Sequence, residues 1–395
     1  MYKSSISFFL LFLFAYLIGV LCYDYLWDTY GFSYTDEIIA LCLLVFYLNH
    51  CFITHRFNKE FFCFSAISLF YFFYSLGFGV NGWEAVWMDF CIQIKSFLAF
   101  YVVYSLAPKF TMRQLRLINN LSKICFLMLL FIGFQGQEFI AHCFHHPSRY
   151  ATAVTITGFL YLYSSGRTRF NVWVAMLIWS VGILSFRSKF YGFYACAAVL
   201  FLWVDIRKYI GLTVMKKILY GLGLSAIIIF AARDKISHYL IDGTADADNM
   251  FARVALYYKA PQIVVDYFPF GSGLGSYATF ASGKFYSPLY GEYNMDHLYG
   301  MTPDTYEFIA DTYFPVLVQF GFVGIGLYAL FWLRNWRIAL LGNDNKSNAV
   351  LVKMNILVFV FFFIESITDS TFTNNRGLFM MMLLALFLRE SELKK

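Results

Sequence analysis

The sequence predicts an all-α protein: a polytopic transmembrane helical bundle of about 12 spans with one long, partly helical outer loop. Three observations predict it. Of 395 residues, 60% are apolar and only 14% charged, against roughly 25% charged in soluble domains. Apolar windows of about 17–20 residues recur along the chain, the length a helix needs to cross the hydrocarbon core. Lysines and arginines also sort into alternate loops, as membrane insertion demands. A soluble domain with this composition would leave far too much apolar surface facing water.

The spans read from the sequence are 6–23, 38–54, 61–79, 87–106, 119–136, 150–165, 171–186, 190–204, 217–231, 313–333, 350–368 and 377–389. The first has Lys3 before it, but its apolar run is long and no small-x-small cleavage site follows. It therefore reads as a retained span and not as a signal peptide. The eight cysteines fall mostly inside spans and match no zinc spacing, so they read as small buried hydrophobes. The whole chain, 1–395, reads as a single integral membrane domain.

Charge placement tests the span count. With the N-terminus inside and strict alternation, the inner loops hold 20 basic and 5 acidic residues, and the outer side holds 9 and 19. Lys95 alone stays in mid-span. Adding or removing one span inverts every later loop and spoils this sorting. Both termini are therefore expected in the cytoplasm. The net charge of +6 is the charge bias of membrane insertion and calls for no nucleic acid.

The stretch 232–312 is the one long interruption, with 10 acidic and 5 basic residues. Connections of that length are usually functional. It is expected on the outer face. Within it, Arg253 and Tyr257 share one face of a short helix expected to be capped by Asp248 or Asn249 and to end before Pro261. Gly271, Gly273 and Gly275 lie in a turn-rich run. Without a strand-turn-helix context they are not a nucleotide loop; they serve a tight turn or a close backbone approach to a ligand. Asp311 stands at the mouth of the tenth span, as a helix cap, as a polar group of a site, or as both.

Cations on an acid-rich face ask for a reason. Arg233, Lys235 and Lys284 have acids at hand or read as even between pairing and function. Arg187 and Lys189 sit in a tight outer turn, Ser185 to Lys189, with no acid nearby in sequence. An Arg at that depth is costly unless it meets an anion, and its planar fork suits phosphate. Glu365, Asp369 and Arg376 gather at another outer mouth. Lys95 has to face protein or a cavity. His142, His145 and His146 share one outer loop, but a metal site needs three or four convergent ligands, so no metal is assigned. No cofactor is called for.

The run Ser185 to Lys189, then Arg253, then Pro269-Phe270-Gly271-Ser272-Gly273-Leu274-Gly275, then Asp311-Thr312 with Gly321-Phe322-Val323-Gly324, resembles the C-terminal half of the O-antigen polymerase and ligase superfamily. The similarity covers roughly residues 181–326. It implies glycosyl transfer on the outer face of a bacterial inner membrane from an undecaprenyl-diphosphate-linked oligosaccharide. It carries the family's two diphosphate-binding arginines onto Arg187 and Arg253. It also implies contact with membrane lipid and a chain-length regulator protein as partner. Where the ligases have a His at the start of the span after the long loop, this chain has Asp311, which favours a Wzy-type polymerase and leaves the general base open.

The expected function is polymerisation of lipid-linked repeat units. Arg187, Arg253 and Asp311 are the catalytic candidates. Lys189, Tyr257, Gly271, Gly273, Gly275, Asp304, His297 and Arg376 are candidates for substrate binding, with Asp304, Glu307 and His297 as further choices of base. The rival readings are an O-antigen ligase acting on a lipid A core sugar, a lipid-linked oligosaccharide flippase, and a membrane acyltransferase. A flippase needs no long outer loop and would show two related halves. An acyltransferase binds its donor inside, whereas the cluster here is outside.

Overall fold

The computed structural model describes residues 6–31, 33–55, 57–205, 250–341 and 346–392, with Gly223 and Ala226 as isolated positions. Every regular element among them is helical. The helices are α1 (Ile6–Tyr30), α2 (Thr35–Thr54), α3 (Lys59–Phe78), α4 (Trp83–Leu106), α5 (Met112–Phe134), α6 (Gln137–Phe144), α7 (Pro147–Ser164), α8 (Arg169–Ser185) and α9 (Ser188–Trp203). Within the loop segment lies α10 (Ala252–Asp266), and after it come α11 (Phe314–Leu340), α12 (Lys346–Thr368) and α13 (Asn375–Glu392).

Each span read from the sequence falls on a helix except the ninth, 217–231, which apart from Gly223 and Ala226 lies outside the described residues. Among the described residues, seven helices are long and apolar enough to cross a membrane: α1 to α5, α11 and most of α12. Helices α8 and α9 are shorter and apolar. Two more, α7 and α13, are the interior posts. From Gly377 to Leu388 every residue of α13 is buried, the mark of a helix with no solvent or lipid face. It packs along α4, α12 and the middle of α1. At the other extreme α3 buries only Tyr71 and Ser75 fully, so one broad face of it is left for lipid.

Lipid tails are as apolar as leucine, so close packing and hydrogen bonds hold such helices together. Gly158 on α7 shows the first. A Cβ there would stand 2.2 Å from Trp179 Nε1, so only glycine lets the α8 indole in. That indole then donates to the Thr155 carbonyl at 3.0 Å. Tyr16 on α1 and Thr157 on α7 share a hydroxyl hydrogen bond of 2.8 Å.

Helix α1 runs past the expected end at residue 23 to Tyr30. The extension is polar, and its Asp24 is fully buried. It accepts from Arg149 at 2.6 Å and also from Arg376, which explains why the helix continues after its apolar run stops.

Ion pairs and one histidine–carboxylate contact fix which loops share an end. Asp24 with Arg149 and Arg376, His145 with Asp28 at 2.7 Å, and Lys189 with Glu365 and Asp369 gather at one end. Arg167 with Glu390 and Arg334 with Glu60 gather at the other. These are the two groups of loops that alternation places on opposite sides. Below they are called the acidic end and the basic end.

Candidate functional site

The site builds up at the acidic end from four chain segments. The first is α10. It starts after Phe251, which makes no side-chain cap, and runs through Pro261 to Asp266. The expected end before Pro261 is therefore corrected, and of the expected caps Asp248 and Asn249 lie outside the described residues. Packing outweighs the lost hydrogen bond at Pro261: Ala255, Leu256 and Ile263 are buried on both sides of it. Arg253 and Tyr257 do share a face. The Tyr257 hydroxyl donates to the Ile367 carbonyl at 3.0 Å, tying α10 to the end of α12. Burial raises the Tyr257 hydroxyl above its ordinary pKa, against the nearby Arg253 charge.

The second segment is the entry to α11. The Asp311 carboxylate accepts a hydrogen bond from Arg253 Nη2 in an ion pair. The first turn of α11 begins at Phe314 with Tyr313 in the cap position and no side-chain cap bond. Asp311 therefore serves a cation and not the helix start. Burial lifts its pKa above the usual carboxylate value, and the charge and hydrogen bond of Arg253 only partly offset this. Asp369 and Lys189 act on it as well.

The third and fourth segments are the α8–α9 turn and the end of α12. Lys189 Nζ lies 2.7 Å from Glu365 Oε2 and 2.7 Å from Asp369 Oδ2, with its side chain 10% exposed. Thr371 Oγ1 donates to the same Glu365 oxygen at 2.8 Å. Burial pushes Asp369 up, yet Lys189 and Thr371 hold it below its ordinary pKa. Lys189 thus spends its charge on two acids. Arg187, two residues earlier, is half-buried and makes no ion pair among the described residues.

His146 joins this cluster. Its Nδ1 accepts from the Ser148 amide at 3.2 Å, which leaves the ring proton on Nε2. His146 stays exposed at the rim of the cluster; partial desolvation first, then the Arg187 charge, with smaller pushes from Lys189 and Arg149 and an opposing pull from Asp369, take its pKa down to about 4. Reading the His loop for metal ligands missed this role, because only the fold brings His146 to Arg187. One set of charges therefore links His146, Arg187, Lys189, Asp369, Asp311 and Arg253.

Other candidates go elsewhere. Arg376 is 1% exposed and pairs with Asp24 inside the bundle. Lys95 pairs with Asp36 and, at 3.0 Å, with Glu37. Asp304, Glu307 and His297 stay exposed on the loop surface. Gly271, Gly273 and Gly275 are buried, with φ of 87°, 89° and 71°. They approach the protein backbone closely: added Cβ atoms would stand 2.3 Å from Gly321 N, 2.7 Å from Gly79 Cα and 2.8 Å from Ala85 C.

The residue that seats this loop is Asp89, fully buried on α4. It accepts from Gly275 N at 2.9 Å, Gln319 Nε2 at 2.8 Å and Gln93 Nε2 at 3.1 Å. Sequence reasoning passed over it. The available signal was an acid inside an apolar span, which always needs partners. Through Asp89 the glycine loop clamps α4 to the entry of α11, and so sets the position of Asp311.

Neither a known family model nor a curated protein matches the chain. The fold defines it as a multi-pass helical membrane protein with a charged cluster at one end.

Proposed function

We propose that the chain polymerises lipid-linked oligosaccharide repeat units by glycosyl transfer from undecaprenyl diphosphate, on the outer face of a bacterial inner membrane. The observation that carries the reading is the ion pair of Arg253 with Asp311, set in one charge cluster with Arg187. Two guanidinium groups from separate loops suit the two phosphates of a leaving diphosphate. Among the described residues Arg187 makes no ion pair, whereas Arg253 pairs with Asp311.

In the proposed step a hydroxyl of the incoming unit attacks the anomeric carbon of the growing chain. The new C–O bond forms as the old C–O bond to the diphosphate breaks, and the electron pair leaves with undecaprenyl diphosphate. As the diphosphate draws Arg253 away, the Asp311 carboxylate is released to accept the hydroxyl proton. Its raised pKa makes it a better acceptor than an ordinary exposed Asp.

The test is polymer length in cells lacking the native chain and supplied with Arg187→Ala, Arg253→Ala or Asp311→Asn. Single repeat units with no long chains are expected for each. Long polymer from the Arg187→Ala/Arg253→Ala double variant would overturn the reading. Normal chains that fail to reach lipid A would instead indicate the ligase.

A further inference from the structure

A second feature lies away from the charged cluster, inside the membrane-spanning region. A cavity of about 420 Å³ runs between α3, α4 and α11. Its walls are mostly apolar, with Phe64, Ile67, Ile94, Phe97, Leu327 and Phe331 among them, and Ser68 and Gln93 also line it. At the acidic end it is bounded by Leu274 and Tyr313, which are 2% and 1% exposed, so it is closed toward Asp311. At the basic end it is bounded by Lys59, Glu60 and Arg334, and Lys59 is exposed.

The length is informative. The α3 wall runs from Lys59 to Tyr71, and at 1.5 Å per residue that is about 18 Å. Half of a hydrocarbon core of about 30 Å is about 15 Å. The cavity is therefore one leaflet deep, on the basic side. Its outer wall, α3, is the helix with the least buried surface and presents Phe62, Leu69, Phe70 and Phe73 outward.

The charges at the mouth point the same way. Arg334 bonds Glu60 through Nη2, and with Lys59 beside them the mouth keeps a net positive charge. Lys59 makes no ion pair among the described residues and occupies the first position of α3, after the Asn58 cap. A cation at a helix N-terminus meets the wrong end of the helix dipole, and an anion beside it relieves that cost.

We propose that this groove holds an acyl chain of an anionic phospholipid from the leaflet at the basic end, with its phosphodiester against Lys59 and Arg334. The site is separate from the Arg187–Arg253 cluster and does not depend on the glycosyl-transfer reading.

The full chain is reconstituted into phosphatidylcholine vesicles carrying trace photoreactive phosphatidylglycerol or photoreactive phosphatidylcholine, and the labelled peptides are mapped. Labelling of α3, α4 and α11 by the phosphatidylglycerol probe is expected. It should fall about tenfold or more in Lys59→Ala/Arg334→Gln, as loss of a charge-assisted bond implies, and vanish in Ile67→Trp, which fills the groove. Lys59→Ala alone, at an exposed position, guards against misfolding of the double variant and should lower labelling while the phosphatidylcholine signal holds. Equal labelling by both probes, unchanged in these variants, would overturn the proposal. So would loss of all labelling on adding undecaprenyl phosphate in both wild type and Lys59→Ala, because the groove would then belong to the isoprenoid chain.

Discussion

Arg253 on α10 donates through Nη2 to the carboxylate of Asp311 at the entry of α11, 58 residues later in the chain. The pair is partly open, with side chains 20% and 38% exposed. A closed structural bridge would hide both groups. A pair that a ligand can reach and split suits a site where the cation has to change partners.

The first prediction concerns that exchange. Arg253→Ala and Arg187→Ala should each lower polymer formation by about ten- to hundredfold, since each removes a charge-assisted bond worth about 1.5–3 kcal/mol. Lysine at either position should not restore activity, because a point charge lacks the planar fork. Rates of chain extension on a purified lipid-linked substrate check this. Full activity of Arg253→Lys would count against bidentate phosphate binding.

Asp311→Asn separates a proton acceptor from a counter-ion. Loss of a general base costs about 10²- to 10⁴-fold, while the amide oxygen can still accept from Arg253. Normal expression with single repeat units on lipid is therefore expected. Chains of near-normal length in Asp311→Asn would move the base to Asp304, Glu307 or His297.

Lys189 should prove structural more than catalytic. It neutralises Glu365 and Asp369 at 2.7 Å each, and Lys189→Met strands both. Breaking a buried pair in this way costs about 3–5 kcal/mol. Thermal unfolding in mild detergent should show the loss, and Lys189→Met/Glu365→Gln should recover part of it. A double variant no more stable than the single one would contradict the assignment.

The glycine loop gives a sharper structural test. Gly275 has φ +71°, and an added Cβ would lie 2.8 Å from the Ala85 backbone carbon. The left-handed conformation alone costs a side chain about 1–2 kcal/mol, and a backbone atom cannot step aside as a flexible side chain can. Gly275→Ala should therefore fail to give monodisperse protein by size exclusion. Gly31→Ala meets nothing within 4 Å and should be much milder.

His146 provides the pH prediction. Its pKa falls to about 4 in the folded chain, below the ordinary value of about 6.5. A group depressed in this direction contributes stability that is fully present above 6.5 and is lost as pH drops from there toward 4. His146→Asn keeps an oxygen for the Ser148 amide but has nothing to protonate. Unfolding temperature followed from pH 7 to pH 4, values set by that window, should fall less steeply in His146→Asn than in wild type. Parallel curves would show that His146 is not held neutral.

Much of the architecture was legible in the sequence, because it follows from one-dimensional facts. Apolar run length sets each span, and the alternating excess of Lys and Arg sets which loops lie together. Arg253 and Tyr257 sharing a face is a matter of helical period. The site was legible in part: Arg187, Arg253 and Asp311 stood out as charges on the wrong face or at a helix mouth. What those charges touch was not legible. Lys189 and Arg376 look alike in the sequence, as cations near outer span ends. The fold sends Lys189 to the cluster with Glu365 and Asp369, and Arg376 to buried Asp24, 352 residues away. The glycines read equally well as a ligand cradle or a packing loop until α3 and α4 were seen against them. Asp89 and His146 gained their roles only from neighbours distant in the chain. Span and sidedness are properties of single segments in lipid and so are written locally, whereas partner choice for a buried charge is set by which helices pack together, and that was decided by the tertiary structure alone.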